Sequence, residues 1–255
     1  MVGGKAWDMG SRLGGEYIGW VFSHLLQGIL RRLPSQCAVC HTWPAQPVCE
    51  ACVNAFAQPV PRCATCAIEV PSGVHQCGAC ILAPPPLDAC LAALPYAYPW
   101  STLVADFKFH QQPGWAHSFA LLLRSTPWVE PALEAADWII PMPLSRERLR
   151  ERGYNQALVL AKALDARKVA QSLLLRIQDT PPQRTLPRSE RLRNVEHAFA
   201  VDPLQRQHLT GKRVVLLDDV MTSGASLHAA ASTLRAAGAA HITALVLART
   251  AAPST

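Results

Sequence analysis

The chain has 255 residues, 50% of them apolar and 16% charged, with a net charge of +6. That length serves one large domain or two modest ones, and the apolar content excludes a wholly disordered chain. The 21 prolines follow no Gly-X-Y period, which excludes a collagen-like protein. The positive charge fits a phosphate-bearing ligand or nucleic acid, or else ordinary solubility.

Near the start, the apolar run Trp20–Leu26 is too short to span a membrane and is broken by His24 and Gln27. It does not read as a signal peptide, because Glu16 precedes it, Arg31 and Arg32 follow it, and no small-residue cleavage site is present. Residues 16–33 are expected to form an amphipathic helix with a basic end. That helix either packs on the rest of the protein or meets a membrane surface or a partner. Met9 is an alternative start. Residues 1–33 are therefore set apart as an N-terminal extension, and a cytoplasmic location is expected.

Of nine cysteines, eight form four C-x-x-C pairs: Cys37/Cys40, Cys49/Cys52, Cys63/Cys66 and Cys77/Cys80. Eight, ten and ten residues separate successive pairs, and all eight cysteines lie within 44 residues. Without a secretory signal a disulfide framework is disfavoured. Two intervening residues let both thiolates of a pair point to one side of a tight turn, and two such knuckles complete a tetrahedral metal site. A single C-x-x-C could be a redox motif; four in succession predict two structural zinc ions. Residues 34–83 are thus read as a double zinc ribbon, held together by metal because the segment has few large apolar side chains. Sequential pairing of the knuckles closes shorter loops and is favoured over a cross-braced arrangement. Four thiolates leave no open position for water, so these sites are not catalytic. His41 and His75 are read as bystanders and Cys90 as a buried residue.

Pro84-Pro85-Pro86 forms a stiff spacer, and from Leu87 strand-like and helix-like segments alternate. Leu91–Tyr98 is predicted as a strand, Ser101–Phe109 as a helix capped by Ser101, and Trp115–Ser125 as a second helix. Trp138–Ile140 is a strand that runs into the loop Pro141-Met142-Pro143. Tyr154–Asp165 is a helix, Ser172–Ile177 a strand, and Arg188–Val195 a basic segment, helical or mobile. Arg213–Leu217 is a buried strand, Ala225–Ala237 a helix ended by Gly238, and Ile242–Leu247 another buried strand. Continuous apolar strands alternating with helices predict an α/β domain with a mostly parallel sheet over residues 84–255.

The run Leu216-Leu217-Asp218-Asp219-Val220-Met221-Thr222-Ser223-Gly224-Ala225-Ser226 carries the chemistry. A hydrophobic strand ends in two acids, and a short Thr-Ser-Gly loop then opens a helix. In open α/β sheets ligands bind at the carboxyl ends of the strands. Hydroxyls and unpaired N–H groups at a helix start cradle an anion, helped by the helix dipole. Gly224 lets the backbone approach a phosphate closely. The adjacent carboxylates suit either vicinal sugar hydroxyls or a hydrated magnesium ion. A sugar phosphate satisfies both halves of the motif. The chain has neither G-x-x-x-x-G-K-[ST] nor G-x-G-x-x-G.

This run resembles the phosphoribosyl-diphosphate motif of type I phosphoribosyltransferases. The chain from about Cys37 to Thr250 resembles the ComF family, with a double zinc ribbon followed by a phosphoribosyltransferase-like domain. Supporting motifs are Pro141-Met142-Pro143-Leu144 and Arg152-Gly153-Tyr154-Asn155-Gln156, then Gln183 to Leu186 with Arg191 to Asn194 and Ala198-Phe199, and Lys108-Phe109. The resemblance implies that Asp218 and Asp219 contact the ribose hydroxyls. It places the 5′-phosphate on Thr222, Ser223, Gly224, Ala225 and Ser226, and the pyrophosphate on the loop Pro141, Met142, Pro143 and Leu144. Such a loop often has unusual peptide geometry. Arg146, Arg148, Arg150, Arg152, Arg191 and Arg193 would add positive charge, with Lys108 and Arg152 the strongest candidates for catalysis alongside the two acids. Asn155 and Gln156 would face the ligand, unless Asn155 is simply a helix cap.

As an enzyme, such a protein would displace magnesium pyrophosphate at the anomeric carbon, with Mg²⁺ arriving with phosphoribosyl diphosphate. Where purine enzymes of the type carry an Asp that acts on the base, this chain has Thr222, so purine salvage is not expected. The acceptor-binding hood is expected in the ribbon and residues 87–125. The resemblance also implies a role in natural competence, with single-stranded DNA and a competence helicase as partners. Two classes stay open: a phosphoribosyltransferase, or a catalytically inactive DNA- or partner-binding module on the same fold.

Overall fold

The computed structural model describes residues 35–178 and 198–252, which fall into two units, one ending at Glu50 and one starting at Ala51. The expected helix at 16–33 and the segments Gln183–Leu186 and Arg188–Val195 lie outside the described residues. So do Arg191 and Arg193.

In the first unit, Ser35 and Ala45 exchange backbone hydrogen bonds of 2.8 and 2.7 Å around a tight turn at Cys37–Cys40. The turn is closed by the His41 N–H on the Cys37 carbonyl at 2.9 Å.

Helix α1 (Glu50–Phe56) starts at the last residue of the first unit and α2 (Gly78–Leu82) lies in the second; each contains the second cysteine of a pair, Cys52 and Cys80, with the first, Cys49 and Cys77, immediately before it. Then come β1 (Ala89–Pro95), α3 (Trp100–Phe109), α4 (Trp115–Arg124) and α5 (Val129–Ala135). Next are β2 (Trp138–Pro141), α6 (Arg146–Arg152), α7 (Gln156–Asp165), β3 (Leu174–Arg176) and β4 (Phe199–Val201). The chain ends with β5 (Arg213–Met221), α8 (Ala225–Ala236) and β6 (His241–Arg249). The main sheet has the order β1-β6-β5-β2 and every pairing in it is parallel, while β3 and β4 form a separate antiparallel pair. This is the α/β class expected, with helices flanking a parallel sheet.

Val214, Val215, Leu216 and Leu217 on β5, and Ile242 and Ala244 to Ala248 on β6, are at most 1% exposed. Consecutive buried residues mean both faces of these strands are covered, the condition for a parallel sheet. Helix α7 packs on β2 and β5, α4 packs on α7, and α8 packs on β4, β5 and β6. The second cysteine group is part of the same core: Cys63, Cys66, Ala67, Val70 and Cys80 cluster with Leu87, Cys90, Leu216, Met221 and Val246.

Several boundaries differ from expectation for local reasons. Ser101 lies inside α3, whose cap position is Pro99; a proline at a helix start gives up no needed donor. The Trp100 indole N–H donates to the Phe56 carbonyl at 2.7 Å and fixes that entry. Strand β5 continues to Met221 because β6 stays in register beside it, with Asp218 opposite Val246 and Met221 opposite Arg249. Helix α7 starts at Gln156. Helices α5 and α6 and strand β4 have no counterpart among the predicted elements. Helix α6 buries none of its residues, so its sequence carries no apolar face to read. The cis peptide bonds among the described residues are Trp43–Pro44 and Tyr98–Pro99, so the unusual geometry anticipated for residues 141–144 does not take that form. Among the described residues no helix is long and apolar enough to cross a membrane.

Candidate functional site

Strand β5 delivers Asp218 and Asp219 near its carboxyl end. Successive strand residues face opposite sides, and the two acids accordingly have different neighbours. Asp218 lines a cavity of about 50 Å³ together with Val220 to Leu227, which includes the whole Thr222–Ser226 loop. This cavity has room for one small group rather than an entire nucleotide. Asp219 is 6% exposed and pairs with Lys108 Nζ at 2.8 Å. Burial first, then the charge of Asp219, pushes the Asp218 carboxyl up to about 7, with Lys108 opposing.

The loop turns into α8 at Gly224, whose φ is +82°. A Cβ there would lie 2.5 Å from Met221 Cε and 2.8 Å from His228 Nε2. The positive φ favours glycine, and a Cβ would also have to push aside the ends of the Met221 and His228 side chains. Gly224→Ala is expected to lower stability by about 1–3 kcal/mol, read from the denaturation midpoint. An unchanged midpoint would show that the loop adopts another conformation.

Lys108 comes from the end of α3, far from Asp219 in sequence. The Lys-Phe element and the Arg-Gly-Tyr-Asn-Gln motif turn out to be two sides of one contact that carries it there. The Tyr154 hydroxyl donates to the Phe107 carbonyl, and its ring packs edge-on against Phe107 at 5.7 Å. The Gln156 amide reaches the Lys108 carbonyl at 3.5 Å. Arg152 lies over the Phe109 ring at 5.2 Å and donates to Gln156 Oε1 at 3.0 Å. Its buried Nε has no hydrogen-bond partner among the described residues. Gln156 is 1% exposed. Asn155 takes the cap role: its Oδ1 accepts from the Leu158 N–H at 3.2 Å, and its amide donates to the Met142 carbonyl at 3.0 Å. That second bond, with the Met142 N–H on the Leu217 carbonyl at 2.8 Å, holds the Pro141–Leu144 loop against β5. Helix α6 then presents Arg146 and Arg150 to solvent, with Arg148 half-buried.

Motif reading missed Arg249, at the end of β6 and 7% exposed. Its signal was available: a lone cation closing a strand whose preceding residues are almost all apolar. A larger cavity of about 510 Å³ lies along β1, lined by residues 59–64, 89–94 and 125–128 among others. It shares no lining residue with the smaller one.

The eight cysteines form two groups, Cys37/Cys40/Cys49/Cys52 and Cys63/Cys66/Cys77/Cys80, with the sulfurs of each group within 4.8 Å of one another. The grouping is sequential. A tetrahedral zinc site with Zn–S bonds of about 2.3 Å spaces its sulfurs by about 3.8 Å. Cys40 and Cys49 stand 3.5 Å apart, and Cys66 and Cys77 3.7 Å. His41 and His75 belong to neither group. Burial works to raise Cys37, yet the amides of Cys40, Cys49 and Val39 outweigh it and bring the thiol to about 6. Cys63 is likewise brought to about 6 by the amides of Cys77, Thr65 and Cys66, against burial. Burial, then Cys66 and Cys77, pushes Cys80 far up. Amides aimed at sulfur favour thiolates, while crowding opposes four of them together, and a divalent cation resolves the conflict. The donor sets therefore fit zinc, in the manner of a double zinc ribbon.

Residues 157–254 match the family model described as phosphoribosyl transferase domain. The chain is 30% identical over 220 residues to "DNA utilization protein YhgH" of Salmonella typhimurium, covering 80% of this chain and 90% of that one. It is 32% identical over 197 residues to "Competence protein F" of Haemophilus influenzae, covering 74% and 85%. A shorter match, 35% over 96 residues, is to "Competence protein ComFC" of Bacillus subtilis, covering 38% and 37%.

Proposed function

Because the chain belongs to the ComF family, that of competence protein F and the DNA utilization proteins, we propose that it binds phosphoribosyl diphosphate or a related nucleotide in DNA uptake or the use of external DNA. The observation that carries this reading is the cavity shared by Asp218 and the Thr222–Ser226 loop, with the next strand residue, Asp219, paired to Lys108. The loop takes the 5′-phosphate through hydroxyls and helix-start N–H groups. Asp218 and Asp219 take the ribose hydroxyls as acceptors. Lys108 exchanges Asp219 for the pyrophosphate, which also meets Arg152 and the Pro141–Leu144 loop. Magnesium enters with the diphosphate as part of the ligand. Where turnover occurs, these cations and the metal stabilise the departing pyrophosphate oxygens. Thr222 offers no general base, so the acceptor attacks the anomeric carbon through a lone pair as pyrophosphate leaves, and any proton it carries passes to solvent or to the departing pyrophosphate. In this reading residues 34–83 are the zinc-binding part, residues 84–255 the ligand-binding domain and residues 1–33 an extension, with the whole chain in the cytoplasm.

A second reading rests on the solvent-facing arginines of α6: the fold serves as a binding module for single-stranded DNA or a helicase partner, without chemistry. Calorimetry separates the two. Phosphoribosyl diphosphate with Mg²⁺ is expected to bind the wild type and not the Asp218→Asn/Asp219→Asn variant. Absence of binding to the wild type defeats the first reading. Salt-sensitive binding of single-stranded DNA that the variant retains supports the second.

A further inference from the structure

Arg249 is a buried cation with no carboxylate partner among the described residues. Its guanidinium is instead surrounded by main-chain oxygens from three places. Nε donates to the Cys66 carbonyl at 3.0 Å, in the turn of the second cysteine group. Nη1 donates to the Met221 carbonyl at 3.1 Å and the Thr222 carbonyl at 2.6 Å, where the phosphate loop leaves β5. It also reaches the carbonyl of Thr250 at 3.0 Å. We infer that Arg249 is a positioning residue that ties the second metal knuckle to the phosphate loop and sets the direction of the loop's amides.

The geometry follows from the planar trans peptide, in which C=O and N–H point opposite ways. Drawing the Thr222 carbonyl onto Arg249 turns the Ser223 N–H away from the guanidinium and leaves it for a ligand. Drawing in the Met221 carbonyl does the same for the Thr222 N–H. A charge-assisted bond holds each carbonyl more firmly than a neutral donor would. The cation also lies behind the loop that is to receive an anion. On its other side, a four-thiolate site keeps net negative charge even with a divalent cation bound, which favours the same guanidinium. A second thread runs in parallel: the Cys90 N–H donates to the Ala64 carbonyl at 2.8 Å, and the Cys90 thiol contacts Met221 Sδ at 3.7 Å. Knuckle, strand end and phosphate loop thus form one connected unit. Metal at the second site acts on the loop through Arg249.

The ligand half of this inference rests on the function proposed above, and the test keeps the two apart. In the metal-loaded full chain, Arg249→Ala is expected to speed amide hydrogen exchange at 222–226 by roughly tenfold or more. It is also expected to weaken phosphoribosyl diphosphate binding roughly 10- to 100-fold. Arg249→Lys keeps the charge but cannot hold both carbonyl groups at once. It should recover part of the affinity while exchange at 222–226 or 63–67 stays fast. Unchanged exchange in either variant overturns the tether. If Arg249→Ala does not retain two metals and native circular dichroism, the lysine variant decides alone. If the wild type binds no phosphoribosyl diphosphate, the functional reading fails, and the exchange data still judge the tether.

Discussion

Asp218→Asn is expected to stabilise the unliganded protein at pH 8 by on the order of 2 kcal/mol, to leave it nearly unchanged at pH 4, and to weaken phosphoribosyl diphosphate binding roughly 10- to 100-fold. Burial and the neighbouring charge of Asp219 hold the Asp218 proton on until about pH 7, whereas the unfolded chain releases it near 3.8. Between those values the native state binds the extra proton, so its stability falls as pH rises and stays lower above 7. An asparagine never has to ionise, so its advantage grows across that window and then levels off. Asp219→Asn should act in the opposite direction. Asp219 pairs with Lys108, and the two side chains are 8% and 14% exposed. Removing the charge leaves a largely buried ammonium without its partner and costs about 3 kcal/mol. Urea titrations at pH 4, 6 and 8 read both effects. A pH-independent effect of Asp218→Asn, or the same sign for both variants, rules out this account. An acid that destabilises the free fold yet lines the cavity of the 222–226 loop is what a ligand-binding role would leave behind.

The second large effect concerns the metal. Freshly purified, reduced protein is expected to contain two zinc ions per chain, and Cys80→Ser to contain one. Structural zinc contributes roughly 10–16 kcal/mol of apparent binding energy at neutral pH, which becomes folding energy. Because Cys63, Cys66 and Cys80 lie in the same buried cluster as Leu216, Met221 and Val246, loss of the second metal should reach the sheet itself. The global unfolding free energy of Cys80→Ser should drop by several kcal/mol, about 5 or more. Metal analysis and chemical denaturation of the full chain measure this. A metal-free wild type, or a Cys80→Ser variant with an unshifted midpoint, contradicts it.

Much of the architecture was legible in the chain because it depends on local pattern. The apolar run Val214–Leu217 and the run Ile242–Leu247, apolar but for Thr243, mark strands covered on both faces, and they are the central pair of the sheet. For Asn155 the sequence left a ligand contact and a helix cap both open, and the structure shows the cap, while Gly224 stood out as the glycine of the loop before the helix. Helix α6 was not legible, since a helix such as Arg146–Arg152, with no fully buried residue, imposes no hydrophobic period. Nor was the length of β5, because the acids interrupt an apolar run whose continuation is dictated by the register of β6.

The sequence by itself determined the cysteine spacing that makes two metal sites, the alternation that makes a parallel sheet, and the acid-loop-helix order of the candidate cradle. Each follows from residues close together in the chain, where spacing and side-chain chemistry suffice. Only the tertiary structure decided that Lys108 meets Asp219, that the paired acids have different surroundings, and that Arg249 joins Cys66 to Thr222. Those contacts join residues distant in sequence and oriented by β-strand alternation. Burial sets their strength, and burial is a property of the packed molecule.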